Sequence, residues 1–144
     1  MTSHLQTTAP ERTIVLYDGH CRFCTVNVSK LLALARRGAI EALSFQEPGV
    51  LDRFPGLTYD ECMRAMQLIT PEGRVFSGFE AAVRAVATRR LIGWLAYLYY
   101  LPGLRQLCDH LYAWIARNRY RLMKKSVVAG ACEEGSCSLH ARQE

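Results

Sequence analysis

Residues 13–24 read TIVLYDGHCRFC, an apolar run followed by a turn and two cysteines. The β-branched and apolar side chains of residues 13–17 predict a buried strand, and Asp18-Gly19 is a turn signal. Residues 21–37 then carry apolar side chains at helical spacing, with Gly38 behind them as a helix stop. We therefore expect a strand, a tight turn and a helix that begins at the cysteines.

The segments that follow this helix continue as short strands and helices. Residues 40–45 predict a second strand, and the single helix before it makes this strand parallel to the first. Residues 58–64 carry a capping-box pattern for a short helix. Residues 65–70 and 74–77 flank a Pro-Glu-Gly turn and predict a hairpin, after which a helix continues to Ala87. This order predicts an α/β sandwich of the form βαβ-ββα, with a C-terminal helical extension.

Cys21 and Cys24 form a C-x-x-C pair at the predicted strand-to-helix turn, which is the thioredoxin-like redox signature. The free backbone N–H groups and the helix dipole at a helix N-terminus stabilise a thiolate. Because the thiolate is the reactive form, we expect Cys21 to be the nucleophile. Cys24 lies one turn further on and is expected to close a disulfide with Cys21, which releases a bound partner thiol.

The neighbours of the cysteine pair suggest supporting roles. Gly19 permits a tight turn, while His20 and Arg22 bring a titratable and a permanent positive charge next to Cys21. Asp18 has two open interpretations. It is either an acid or base for the thiol of Cys24, or a structural residue that caps the helix and holds the turn.

The composition excludes several classes of protein. The chain has 144 residues, a net charge of +5 and six cysteines, which excludes a disordered, collagen-like or disulfide-scaffold protein and suits one domain. Residues 1–12 are polar and lack the apolar core of a secretory signal, so we expect a flexible tail and a cytoplasmic protein. Paired cysteines in a reducing compartment are more often redox-active or metal-binding than static disulfides.

The main alternative for the C-x-x-C pair is one half of a zinc site. Cys132, Cys137 and His140, in the polar tail 126–144, would supply the remaining ligands beside Cys21 and Cys24. The tail cysteines are equally well interpreted as inert thiols or as an auxiliary redox pair. Outside the zinc alternative we expect no cofactor beyond the dithiol itself. The two remaining single cysteines are expected to pack in the interior, with a redox role as the alternative for the first: Cys62 and Cys108.

The last third of the chain is apolar and basic. Residues 91–104 read LIGWLAYLYYLPGL, which predicts a buried helix and its turn or, alternatively, a segment at a membrane interface. From residue 104 the apolar positions follow the spacing of an amphipathic helix. Basic residues crowd its end, where we expect a solvated face, with an acidic partner protein or an anionic membrane surface as alternatives and nucleic acid as the least favoured partner. These residues are Arg117, Arg119, Arg121, Lys124 and Lys125.

The run YDGHCRFC at residues 17–24 resembles the hallmark of the DCC family of predicted thiol-disulfide oxidoreductases, whose Asp-Cys-Cys pattern falls on Asp18, Cys21 and Cys24. Residues 70–86 and 112–122 look like later stretches of that family. The resemblance implies a thioredoxin-like domain over residues 13–125, with a redox unit at 13–90 and a helical extension at 91–125. It also implies exchange with a protein or small-molecule thiol or disulfide. Unlike thioredoxins, the chain has no proline in the segment before the third strand.

Overall fold

The computed structural model describes residues 10–90 and 93–122, which form an α/β fold. The four strands are β1 (Thr13–Tyr17), β2 (Ile40–Ser44), β3 (Gln67–Ile69) and β4 (Val75–Ser77). The five α-helices are α1 (Arg22–Leu34), α2 (Tyr59–Arg64), α3 (Phe79–Ala87), α4 (Gly93–Tyr99) and α5 (Leu104–Leu122). The predicted capping box at the start of α2 is present, with Thr58 and Glu61 bonded reciprocally.

The strands form one mixed sheet in the order β2-β1-β3-β4. β1 pairs in parallel with β2, so that Val15 lies opposite Ala42, and antiparallel with β3, so that Val15 also lies opposite Leu68. β3 and β4 form the predicted antiparallel hairpin. This mixed α/β arrangement is consistent with the thioredoxin-like fold that the sequence predicts.

β1 is an inner strand of the sheet and is buried on both faces. Val15 packs into a core with α1 and α3, whereas Leu16 points into a second core that includes Phe54 and the buried thiol of Cys62. Both β1 side chains are fully buried, as expected for successive residues that alternate between two covered faces. The carboxyl end of β1, where the cysteine turn begins, is therefore held on both sides of the sheet.

Helix α1 ends at Leu34, three residues before the predicted end at Arg37. Ala35 is buried and extended, and its N–H donates to the carbonyl of Leu31 as the last bond of the helix. The N–H of Arg36 donates instead to the Thr88 hydroxyl at the end of α3. A buried side chain and a tertiary hydrogen bond thus end the helix before its basic residues are reached.

Two predictions for the C-terminal helices are wrong. Tyr99 is buried, but Trp94 and Tyr97 are 62% and 77% exposed, so the described side chains at residues 93–104 do not form a buried helix. In α5 the predicted apolar stripe is not buried as a whole, since Leu107 is exposed at 65%. Arg119, which was expected to be solvated, is only 5% exposed. No helix within the described residues has the length and apolar character needed to cross a bilayer.

Candidate functional site

The C-x-x-C pair lies where β1 passes into α1, as predicted. Cys21 is the N-cap residue of α1, with extended backbone angles, and its Sγ accepts a hydrogen bond from the backbone N–H of Cys24 at 3.4 Å. The N–H of Cys21 donates to the carbonyl of Asp18, which closes the turn. The sulfur of Cys21 thus takes the place that a Ser or Asp oxygen occupies at an ordinary N-cap.

Gly19 is required by close packing in this turn. A Cβ at this position would lie 2.4 Å from the Ser44 Oγ and 2.9 Å from its Cβ, at the end of β2. Both separations are shorter than real Cβ contacts. Gly19 therefore lets the turn after β1 pass directly against the neighbouring strand, a reason that differs from the backbone freedom expected from the sequence.

Replacing Gly19 with alanine is expected to lower the free energy of unfolding by about 1–3 kcal/mol, because the new methyl group overpacks against Ser44. Urea denaturation of the variant measures this loss. The double variant G19A/S44G removes the obstructing side chain and is expected to recover part of the stability. Equal instability of the single and double variants would show that the contact with Ser44 is not the cause.

Asp18 is the centre of a buried polar network. Its Oδ1 accepts hydrogen bonds from the backbone N–H of His20 at 3.1 Å and from the Gln46 side chain at 2.8 Å. Its Oδ2 accepts a short hydrogen bond from the Tyr120 hydroxyl and lies 3.3 Å from the guanidinium of Arg119. Burial, followed by the bond to Asp18, raises the pKa of Tyr120 to about 12, so this phenol remains a donor. Both carboxylate oxygens are therefore occupied.

Arg119 connects this network to the cysteine pair. From α5, its Nη2 donates to the carbonyl of Met63 at 2.7 Å and pairs with Asp18, while its Nη1 contacts the Sγ of Cys24 at 3.5 Å. Its guanidinium also lies over the Tyr120 ring, 5.0 Å from the centroid. Its Nε is buried and has no hydrogen-bond partner within the described residues. A permanent positive charge is thus held beside the second thiol of the pair.

The two thiols of the pair have different surroundings. Cys21 is only 2% exposed, whereas Cys24 is partly exposed. Burial raises the pKa of Cys24 to about 12, and the side-chain hydrogen bond between its thiol and Cys21 is the next cause. The charge of Arg119 acts in the opposite direction. Cys24 is consequently a protonated thiol at neutral pH.

Alkylation of Cys24 at pH 8 is expected to be about a thousandfold slower in the folded protein than in the unfolded chain, because a pKa near 12 leaves so little thiolate. The rate for the folded protein should rise about tenfold per pH unit up to pH 10. The rate for the urea-unfolded chain should level off near pH 9, at the pKa of an ordinary thiol. Pulsed iodoacetamide labelling with peptide mass spectrometry measures both. Parallel profiles would contradict the shift.

The two predicted site residues that flank Cys21 lie at the surface. The side chains of His20 and Arg22 are exposed, and the backbone N–H of His20 donates to Asp18. Within residues 10–90 and 93–122, no three His, Cys, Asp or Glu side chains are grouped to hold a metal ion. The other members of the zinc alternative lie outside the described residues: Cys132, Cys137 and His140.

Sequence reasoning missed three members of the network: Gln46, Arg119 and Tyr120. The available signal was helical spacing, since Arg119 follows Tyr112 and Ile115 by seven and four residues and so shares their packed face. A charged residue at such a position needs a buried partner. The helical part of the chain therefore completes the site, and a boundary at residue 90 would separate Cys24 from Arg119.

Comparison with protein families identifies this arrangement. The family model described as DCC1-like thiol-disulfide oxidoreductase matches residues 15–125, which include the cysteine pair, Asp18 and Arg119. The chain therefore belongs to the DCC1-like thiol-disulfide oxidoreductase family and is an enzyme of the thiol-disulfide oxidoreductase class, as the resemblance implied. No curated protein and no solved structure matches the chain.

Proposed function

We propose that the protein exchanges thiols and disulfides through Cys21 and Cys24, with Cys21 as the attacking sulfur. The observation that carries this proposal is the N-cap position of Cys21, whose Sγ accepts the N–H of Cys24. A backbone N–H directed at a sulfur from a helix N-terminus stabilises the negative charge that this sulfur carries as it attacks or leaves. Burial raises the pKa of Cys24 to about 12, so the second thiol is the poorer first nucleophile.

The reaction runs in two steps. The Cys21 thiolate attacks one sulfur of a substrate disulfide, so that a mixed disulfide forms and one substrate thiolate leaves. Cys24 then loses its proton to the leaving thiolate or to water, attacks the Sγ of Cys21 and forms the Cys21–Cys24 disulfide, which releases the second substrate thiol. Two electrons pass from the dithiol to the substrate, and an external dithiol returns them. The reverse sequence oxidises a substrate dithiol.

Arg119 serves the second step of this scheme. Its guanidinium lies 3.5 Å from the Cys24 Sγ and lowers the pKa of Cys24 against the larger effect of burial. As negative charge develops on that sulfur, the fixed cation stabilises it. Asp18 holds Arg119 in place through the ion pair of 3.3 Å, so we assign Asp18 a positioning role rather than proton transfer.

The burial of Cys21 adds a condition to the first step. Only 2% of the residue is exposed, so a protein disulfide reaches its sulfur only after the turn opens. A small disulfide could instead fit against the sulfur without that opening. The partly exposed Cys24 is the alternative first nucleophile, and its protonated state opposes that assignment. The substrate is a protein or a small-molecule disulfide, and the reaction uses no cofactor beyond the dithiol.

Trapping of the mixed disulfide tests which sulfur attacks first. The variant C24S lacks the resolving thiol and is expected to accumulate a stable adduct on Cys21 when mixed with glutathione disulfide or 5,5′-dithiobis(2-nitrobenzoate). C62S, which removes another buried thiol, is the matched control and should release the adduct as the unmodified protein does. Intact-mass and peptide mass spectrometry locate the adduct. Accumulation in C21S but not in C24S would assign first attack to Cys24 and overturn the proposal.

A further inference from the structure

The C-terminal helices expose an unusually apolar surface. Of the twelve strongly exposed large apolar side chains in the described part of the chain, ten lie between residues 94 and 122, and the other two are Leu34 and Tyr59. Isolated exposed apolar residues are ordinary, but a concentration of this kind marks an interaction surface. None of these ten side chains belongs to the network around Cys21 and Cys24 described above.

On α5 the exposed residues form one stripe. Leu104, Leu107, Leu111 and Trp114 follow at steps of three, four and three, which places them within an arc of about 80° on a helix of 3.6 residues per turn. Three of them are more than half exposed, at 65% for Leu107, 55% for Leu111 and 53% for Trp114. The other side of the helix packs on the body, where the Tyr112 hydroxyl accepts the N–H of Met66.

α4 turns a second apolar face outward. Tyr99 lies on the buried side of α4, where its ring packs against Phe79 and its hydroxyl donates to Asp109 at 2.7 Å. Trp94 and Tyr97 lie on the opposite side of the helix and are exposed. Residues 100–103 join the two helices and are also exposed, and the side of α5 that meets Tyr99 of α4, at Asp109, is the side away from the leucine stripe. We call the exposed stripe on α5 the outer apolar face: Leu104, Leu107, Leu111 and Trp114.

Positive charge borders this face. Arg117 and Arg121 are exposed and lie on the side of the stripe that faces away from the packed residues of α5. Neither has a carboxylate within 4.0 Å among the residues that the structure describes. The one acidic residue of α5, Asp109, lies on the packed side against Tyr99. A second copy paired along the same stripe, in either direction, would bring further basic residues of α5 to this border and no acidic residue of that helix.

We propose that the outer apolar face docks the protein peripherally on an anionic lipid surface. The leucines of α5 would enter the boundary between headgroups and acyl chains, and Trp114 would lie at headgroup level, where such amphipathic rings are enriched. Arg117 and Arg121 would contact lipid phosphates, whose negative charge supplies the counterion that the chain lacks there. An interfacial helix of this kind lies in the membrane plane and does not cross it.

Vesicle binding of the full reduced protein tests the proposal. Trp114 lies on the outer apolar face and Trp94 on α4, so the variant W94F, in which Trp114 is the one remaining tryptophan, makes intrinsic fluorescence report on this face alone. With vesicles of phosphatidylcholine containing about 30% phosphatidylglycerol, we expect flotation with the lipid, a blue shift and quenching by brominated acyl chains. Binding should weaken at high salt and be much lower on pure phosphatidylcholine.

Matched variants separate the apolar and the charged contributions. We expect a loss of partitioning of at least about tenfold in each of two variants, L107E/L111E and R117E/R121E. The first removes apolar side chains from the lipid boundary. The second removes two basic side chains, each of which contributes about fivefold near an anionic surface. The controls L34E and R36E/R37E change exposed residues of the same types elsewhere and should bind as the unmodified protein does. Disulfide turnover in solution should be the same in all of these variants.

Three outcomes would overturn the proposal. They are no binding to anionic vesicles at low salt, binding that L107E/L111E leaves unchanged, and equal losses in the control variants. Sedimentation equilibrium tests whether a second copy of the chain occupies this face instead. A dimer that L107E/L111E dissociates, together with absence of vesicle binding, would assign the outer apolar face to a second copy of the chain.

Discussion

Replacing Cys21 with serine is expected to lower disulfide turnover by at least about a thousandfold, because the proposed attacking sulfur is lost and Cys24 is left without a partner for the internal disulfide. Serine is nearly isosteric and its oxygen also accepts the N-cap hydrogen bond, so the fold should persist. Reduction of a small aromatic disulfide, followed by absorbance with an external dithiol in excess, measures the rate.

The control for this prediction is C108S, which replaces a partly buried thiol on α5 that has no part in the pair. It should retain the turnover of the unmodified protein. Unfolding by urea, compared between C21S and the parent, separates loss of chemistry from loss of structure. Turnover in C21S within tenfold of the parent rate would remove Cys21 from the reaction.

Replacing Arg119 with alanine is expected to lower the free energy of unfolding by about 3–5 kcal/mol, the range for breaking a buried ion pair from one side. The carboxylate of Asp18 would still accept hydrogen bonds from the His20 N–H, the Gln46 side chain and the Tyr120 hydroxyl. It would lose its only cation within 4.0 Å among the described residues. The carbonyl of Met63 would lose its donor as well. Urea denaturation with far-UV circular dichroism measures the change.

Two further variants make this prediction specific. R121A removes an exposed arginine from the same helix and should change stability by less than about 0.5 kcal/mol. D18N/R119M removes both charges and should be less destabilised than the sum of its single variants, as expected for residues that interact directly. If R119A and R121A are equally stable, the ion pair with Asp18 does not hold the site together.

The part of the site that the sequence predicts is the part that is local. Cys21, Cys24 and Gly19 lie within six residues of one another, and the turn and helix that orient them follow from side-chain spacing and a glycine. The parallel pairing of β1 with β2 could be inferred for the same reason, because one helix between two strands makes them parallel. The DCC-like motif added the redox class, which the family match confirms.

The parts that the sequence did not predict depend on tertiary contacts. Arg119 lies 95 residues after Cys24, so only the packing of α5 brings its guanidinium to that sulfur. The end of α1 is set by the Thr88 hydroxyl from another helix. The apolar pattern of α5 was recognised, but periodicity alone does not tell which apolar side meets the body and which remains outside.

The roles of the two cysteines also required the structure. The sequence predicts Cys21 as the nucleophile, yet Cys21 is the more buried of the two thiols. The difference that supports Cys21 as nucleophile is electrostatic. A backbone N–H points at its sulfur, whereas burial raises the pKa of Cys24 to about 12.

A redox titration of the full chain tests the central claim most directly. The protein is equilibrated in mixtures of reduced and oxidised dithiothreitol or glutathione, quenched with an alkylating reagent and mapped by mass spectrometry. We predict that Cys21 and Cys24 leave the alkylated pool together, in one transition with the two-electron slope of about 30 mV per tenfold change, while Cys62 and Cys108 remain thiols. If Cys21 and Cys24 stay reduced at every potential, or pair with other cysteines, the proposed redox centre is contradicted.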